Sequence, residues 1–211
     1  MHDWIVGVVL AGGKSRRMGC DKALLSFDGT PLIKHTTRLL QSIFSQVLIV
    51  SNHRQKYEFL RLQVVPDSVP NSGPLGGIHT ALLAGDGQPV FVVGCDLPFI
   101  NRQLIEYIVD FPLTEDSKSY SSKRFDATRM AKIPTQKEHL QPLCGLYFPG
   151  CFSVIEHRLN QRELKTMEAL KELCLVRVPI TSEQSFYKET LFDNINTPSE
   201  YGKALTEGLE T

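Results

Sequence analysis

The chain has 211 residues, 42% hydrophobic and 22% charged, which is enough for one medium-sized fold with a substantial apolar core. Lysine plus arginine equals aspartate plus glutamate at 23 each, so nothing draws the whole molecule to nucleic acid or to an anionic membrane, and any phosphate binding has to be local. The five cysteines (Cys20, Cys95, Cys144, Cys151 and Cys174) are scattered without a C-x-x-C pair, which argues against a disulfide framework or a cysteine metal cluster. No run approaches the roughly 20 apolar residues of a membrane helix. The expectation is a cytoplasmic protein with neither nucleic acid nor membrane as a partner.

Ile5 to Leu10 is short, apolar and rich in β-branched residues, the pattern of a buried parallel strand. After the Asp28-Gly29 turn, Pro31 suits the start of a helix to about Ser42, with Leu32, His35, Leu39 and Ile43 spaced for its buried face. Val47–Val50 reads as a second strand, Arg54–Leu60 as a short helix and Val64–Val65 as a third strand. The stretch PDSVPNSGP (66–74) is a loop by composition, and Leu75–Leu83 follows as a helix. Pro89–Gly94 is a fourth buried strand and Arg102–Val109 another helix.

Residues 112–137 are polar and serine-rich with six lysines and arginines, a surface excursion containing one strand near Asp126–Ile133; a basic arm for an anionic substrate is the alternative. Gln141–Phe148 and Leu175–Val178 then read as strands, Cys151–Leu159 and Thr166–Leu173 as helices. Thr197-Pro198-Ser199-Glu200 is a capping box that opens a final helix toward Leu205. Strands alternating with helices over short links predict an α/β protein: a three-layer α/β/α Rossmann-like fold with a mostly parallel central sheet. No linker or repeat divides the chain, so residues 1–211 are expected to form a single domain. Ligands of such sheets bind beyond the carboxyl ends of the strands, which directs attention to the residues after each one.

The stretch after the first strand contains Gly13-Lys14-Ser15, the tail of a phosphate-binding P-loop. The glycine that such a loop needs five residues before Gly13 is Val8, and the backbone amides cannot curl around a phosphate there. The usable features are different. After Leu10 and Ala11, the adjacent Gly12 and Gly13 allow close backbone approach to a nucleotide, while Arg17 and Lys22 supply a planar fork and a point charge for a polyphosphate. Asp96, just past the fourth strand, is a hard oxygen donor of the kind that shares Mg²⁺ with substrate phosphates. The six histidines show no metal-ligand spacing, and no nucleophile-and-base constellation can be assembled.

The string Leu10-Ala-Gly-Gly-Lys-Ser-Arg-Arg-Met-Gly-Cys-Asp-Lys22, followed by Ala23-Leu24, closely resembles the signature of the molybdenum cofactor guanylyltransferases, within the nucleotide-diphospho-sugar transferase superfamily. The likeness continues in order through Phe27–Leu32, Asp67, Gly73–Gly77, Cys95–Pro98, Gln141–Leu143 and Asn194–Pro198. It implies a nucleotidyltransferase domain in which residues 1–110 bind GTP and residues 111–211 serve the molybdopterin side. The implied reaction moves GMP from GTP to molybdenum-molybdopterin, with Mg²⁺ held by Asp96, and Lys22, Arg17 and Asp96 as the catalytic set. Leu10, Ala11, Gly12, Gly13, Lys22, Asn52, Asp67 and Asp96 would contact nucleotide. Val50 competes with Asn52 for its position, and Asp67 either reads the guanine edge or orders its loop. Gln141, Asn194 and Asn196 fall on the molybdopterin side, where either asparagine serves equally well as a turn former. Molybdoenzyme-maturation proteins are the implied partners. A molybdopterin cytidylyltransferase, a sugar-phosphate nucleotidylyltransferase and a non-catalytic carrier of nucleotide or molybdopterin are the competing readings.

Overall fold

The structure is a computed structural model that describes residues 1–12, 21–112 and 127–207. It begins with β1 (His2–Leu10), whose residues from Ile5 onward are all buried, as expected of a central strand covered on both faces. A small hairpin of β2 (Ser26–Phe27) and β3 (Thr30–Pro31) leads to α1 (Leu32–Gln41) and then to β4 (Phe44–Val50). The Arg54–Leu60 turn is 3-10 helix, and β5 (Gln63–Val65) follows. Next come α2 (Gly73–Ala84), β6 (Val90–Gly94) and α3 (Arg102–Asp110). The second half runs β7 (Met130–Gln136), β8 (His139–Leu140), β9 (Cys144–Tyr147), α4 (Cys151–Asn160), α5 (Thr166–Leu170), β10 (Cys174–Pro179) and α6 (Pro198–Glu207).

One sheet joins both halves in the order β10-β7-β9-β6-β1-β4-β5, with β8 paired to β7. β1 is parallel to β4 and β6, β4 to β5, and β10 to β7; β9 runs antiparallel between β6 and β7. The expected three-layer, mostly parallel α/β arrangement is therefore present, with β9 reversed within the sheet and the short β8 reversed at the end of β7. Alternate residues of β1 separate the two cores. Ile5 and Val9 pack with Ile33 and Leu40 of α1 and Leu104 and Ile108 of α3. Val6, Val8 and Leu10 pack with Leu75 and Ile78 of α2, and Ile155 of α4 belongs to the same cluster.

Several local expectations shift for identifiable reasons. The buried face of α1 is Leu32, Ile33, Thr36, Thr37 and Leu40, leaving His35 and Leu39 partly exposed. Two threonines belong to that face, and an apolar-only reading of the helix overlooks them. The strand expected over Gln141–Phe148 shortens to β9, because Gln141–Leu143 form a turn closed by Cys144 N–H donating to the Gln141 carbonyl at 3.0 Å. The expected strand near Asp126–Ile133 is β7, displaced toward the C-terminus. Its Lys132 does not belong to a basic arm. The side chain is buried, and its ammonium donates to the Val109 and Phe111 carbonyls at 2.6 and 2.7 Å, closing the C-terminal end of α3. The rest of the basic excursion, residues 113–126, lies outside the described residues.

The capping box is formed as read. Glu200 Oε2 accepts from Thr197 N–H at 2.9 Å, and Thr197 Oγ1 accepts from Glu200 N–H at 3.2 Å. Among the described residues no helix is long and apolar enough to cross a membrane.

The reversed strand imposes one tight tolerance. A Cβ on Gly145 of β9 would stand 2.6 Å from Ile133 Cδ1 and 3.0 Å from the Lys132 carbonyl oxygen. Gly145→Ala is expected to cost about 1–3 kcal/mol of stability through overpacking, read as a lowered urea midpoint with an unchanged slope.

Candidate functional site

Leu10 lies level with Val50 of β4 and with Gly94 of β6, so three neighbouring strands end together. The chain is stitched where it leaves them: Ala11 N–H donates to the Val50 carbonyl at 3.0 Å and Cys95 N–H to the Leu10 carbonyl at 3.1 Å. Beyond these ends lies a cleft of about 640 Å³. Its walls carry Leu10, Gly12, Lys22, Val50, Asn52, Asp67 and Asp96, together with Gly73, Pro74 and Gly77 at the N-terminal end of α2. Gly77 allows α2 this close, since a Cβ there would press to 3.0 Å from Leu10 Cδ1.

The charged centre of the cleft is assembled from three distant parts of the chain. Lys22 Nζ donates to Asp96 Oδ2 at 2.5 Å and to Asn196 Oδ1 at 3.0 Å. The lysine and aspartate side chains are 18% and 14% exposed, so the pair is shielded yet still open to a ligand. Asp21 orients Lys22 by capping the 3-10 turn Lys22–Leu24, its carboxylate accepting from Ala23 N–H at 3.3 Å. Asp96 sits over a glycine: a Cβ on Gly94 would fall 2.6 Å from Asp96 Oδ1. Asn196 is placed by the α6 cap, because Glu200 Oε2 also accepts its backbone N–H at 2.7 Å.

The cleft wall also holds a reciprocal amide–carboxylate pair. Asn52 Nδ2 donates to Asp67 Oδ2, and Asp67 N–H donates to Asn52 Oδ1, both at 2.9 Å. Burial raises the Asp67 carboxyl above its ordinary value, and the Asn52 amide only partly offsets that shift. The neighbouring Cys95 thiol is fully enclosed and pushed up to about 12, chiefly by burial and then by the Asp96 charge. It is an inert wall of the cleft, not a nucleophile.

The sequence-derived candidates thus separate. Leu10, Gly12, Lys22, Asn52, Asp67 and Asp96 come together in one cleft, and Val50 and Asn52 both reach it. Ala11 turns its side chain into the core and joins the site only through its backbone. Asn196 meets Lys22, whereas Asn194 lines a smaller adjoining pocket of about 350 Å³ with Phe99, Phe192 and Lys203. Gln141 lies in the turn before β9, one residue from Pro142 and two from Leu143, which lines the cleft. Gly13 and Arg17 lie outside the described residues. Sequence reading missed His53, Asn71 and Gly94, all on the cleft wall. The rule of looking just past each strand reaches His53, Gly94 is itself the last residue of β6, and Asn71 sits inside a proline-rich loop where no periodicity marks it.

The donor set bears on metal binding. Among the described residues no group of three or more His, Cys, Asp or Glu side chains converges to cage a metal ion. Of the two carboxylates on the cleft wall Asp67 is engaged by Asn52, and Asp96, shielded and beside Lys22, suits Mg²⁺ arriving with its own phosphate ligands.

Comparison with known proteins identifies the family of the chain. A family model described as the MobA-like NTP transferase domain matches residues 7–174. A protein of Pelotomaculum thermopropionicum named "Probable molybdenum cofactor guanylyltransferase" is 37% identical, over 94% of this chain and 90% of its own length. One of the same name from Carboxydothermus hydrogenoformans is 34% identical over 93% of both chains. Among solved structures, the molybdopterin-guanine dinucleotide biosynthesis protein A of Archaeoglobus fulgidus superposes with a TM-score of 0.75 at 25% identity, covering 96% of this chain and 97% of that one.

The raised Asp67 carboxyl has a consequence for stability. A carboxyl raised by folding favours the folded state at low pH and loses that contribution as pH rises through its folded value, so the ionised group is a burden at neutral pH. Asp67→Asn keeps an acceptor for Asn52 and removes the charge. It is expected to melt on the order of 2 °C higher than the native chain at pH 7, with the difference vanishing below the ordinary carboxylate value near pH 3.8. Paired thermal melts at pH 7 and pH 3 check both signs.

Proposed function

The chain belongs to the MobA-like NTP transferase domain family, and on that premise we propose that it is a molybdenum cofactor guanylyltransferase that moves GMP from GTP to molybdenum-molybdopterin. The observation that carries this reading is the Lys22 ammonium held between Asp96 and Asn196. It joins the strand-end cleft to the neighbouring pocket beside α6, as a transfer between two bound substrates requires.

In the proposed reaction a terminal phosphate oxygen of molybdenum-molybdopterin attacks the α-phosphorus of GTP. The new P–O bond forms as the α–β bridge breaks, and pyrophosphate leaves. A phosphate monoester is already largely ionised at neutral pH, so no general base has to take its proton. The site's work is then alignment and neutralisation of charge. Lys22 supplies the positive charge once it turns from Asp96 to phosphate. Asp96 would hold Mg²⁺, which when bound withdraws charge from the phosphate oxygens. The Asn52–Asp67 pair and the first turn of α2 offer polar and backbone groups to the nucleoside and phosphates. Asn194 and Asn196 offer amides to the pterin side, with Gln141 in the turn before β9. Arg17, taken from the motif resemblance, would be the further phosphate contact in this reading.

In this reading the whole chain acts as one nucleotidyltransferase domain, residues 1–110 serving GTP and 111–211 serving molybdopterin. A cytoplasmic setting suits the GTP supply and the buried Cys95 and Cys144 thiols. Molybdoenzyme-maturation proteins would receive the product.

The deciding assay offers GTP, CTP, ATP and UTP with molybdenum-molybdopterin and Mg²⁺ and measures pyrophosphate release. Turnover with GTP is expected, and a preference for CTP would replace the base while leaving the transfer mechanism. Lys22→Met and Asp96→Ala are each expected to lower kcat by about 10²–10³-fold while the circular dichroism spectrum of the fold is retained. Near-native turnover in either would remove that residue from the proposed mechanism.

A further inference from the structure

Tyr57 belongs to the Arg54–Leu60 turn and its side chain is wholly buried among the core residues below the cleft. A buried phenol costs free energy unless its hydroxyl is hydrogen-bonded, and phenylalanine would fill the same space without that cost. The hydroxyl faces two acceptors from separate parts of the chain. Its one proton is shared between the Ala11 carbonyl at 3.4 Å and the Asp21 carboxylate at 3.3 and 3.5 Å, a divided contact between two acceptors. Ala11 is where the backbone leaves β1, and Asp21 is the residue that caps the turn bearing Lys22. Lys56, next to Tyr57, completes the grip with an ion pair to Asp21 at 2.8 Å.

We propose that Tyr57 is a positioning residue: its hydroxyl, anchored by the core, ties the exit of β1 to Asp21 and so aims Lys22 at the reacting phosphates. The assignment of phosphates to Lys22 rests on the guanylyltransferase reading; the tie itself does not. Of the two grips on Asp21, the Lys56 pair is the weaker anchor, since the lysine side chain is 43% exposed and an ion pair in water contributes little. The phenol ring is fixed by packing, so its hydroxyl defines a point in space that a flexible lysine does not. Burial first, and the Asp21 charge second, hold the phenol far above its ordinary range, so it stays a donor across the working pH.

Acetylation of Lys22 by acetic anhydride, followed by peptide mass spectrometry, reads the lysine directly and needs no substrate. Tyr57→Phe retains the ring and removes only the hydroxyl. It is expected to speed Lys22 acetylation on the order of fivefold, the loosening that one lost hydrogen bond to a charged group allows, while exposed Lys171 reacts as before. In the pyrophosphate-release assay the same variant is expected to lose kcat by a similar factor. Asp21→Asn should reproduce both changes, and combining the two should add less than twofold, because they break one unit. An unchanged Lys22 acetylation rate in Tyr57→Phe overturns the inference whatever its turnover, and so does a fully multiplicative double variant. Should Tyr57→Phe melt below the assay temperature, Asp21→Asn is compared with Lys56→Met, which removes only the ion pair, and equal Lys22 acetylation rates in the two overturn the inference. A native chain that releases no pyrophosphate defeats the guanylyltransferase reading, while the acetylation result still decides this one.

Discussion

The alignment of β1 with its two parallel neighbours is the constraint on which the site depends. Leu10, Val50 and Gly94 stand at one level, so the residues that follow them in sequence emerge along one edge. Parallel pairing delivers this because every such strand presents its carboxyl end on the same side, with helices returning the chain to the other. Asn52 and Asp96 are 44 positions apart in sequence yet line one cleft for that reason alone. The register is held by burial on both faces, since a slip of one residue would exchange Val6 and Val8 with Ile5 and Val9 between two different cores.

Onto that edge the fold brings opposite charges without caging them. Lys22 and Asp96 neutralise one another across the cleft in a partly buried pair, which avoids leaving a lone charge inside the protein. Each is the natural partner of something else: the lysine of phosphate, the carboxylate of a divalent cation. A polyphosphate carrying its metal could satisfy both and replace the internal pair with two external ones. The glycines serve geometry at the same places, Gly94 leaving room for the Asp96 carboxylate and Gly77 letting α2 approach Leu10.

Much of this was legible in the chain. Strand-and-helix alternation announced the three layers, and the continuous apolar runs at Ile5–Leu10 and Val90–Gly94 announced strands covered on both sides. Thr197 to Glu200 was readable as a cap because a capping box is local in sequence. The reversed β9 was not legible. Its direction follows from the β7–β8 hairpin and the Gln141–Leu143 turn, and a short apolar run looks the same in either orientation. Lys132 misled for a related reason: a lysine in a polar stretch reads as surface, and only the α3 carbonyls beside it make its burial tolerable.

The sequence by itself determined the layer architecture, the strand ends at which chemistry had to be sought, and the residue types there: glycines, a lysine and a carboxylate suited to phosphate and Mg²⁺. It also set aside the apparent P-loop, since Val8 occupies the place of a required glycine. Tertiary structure alone decided which candidates meet. It put Asn196 on Lys22, paired Asn52 with Asp67, turned the Ala11 side chain into the core and anchored Asp21 to a buried tyrosine. Motif order along a chain carries no distances, and those contacts arise only when sheet register and helix packing fold remote segments onto one edge.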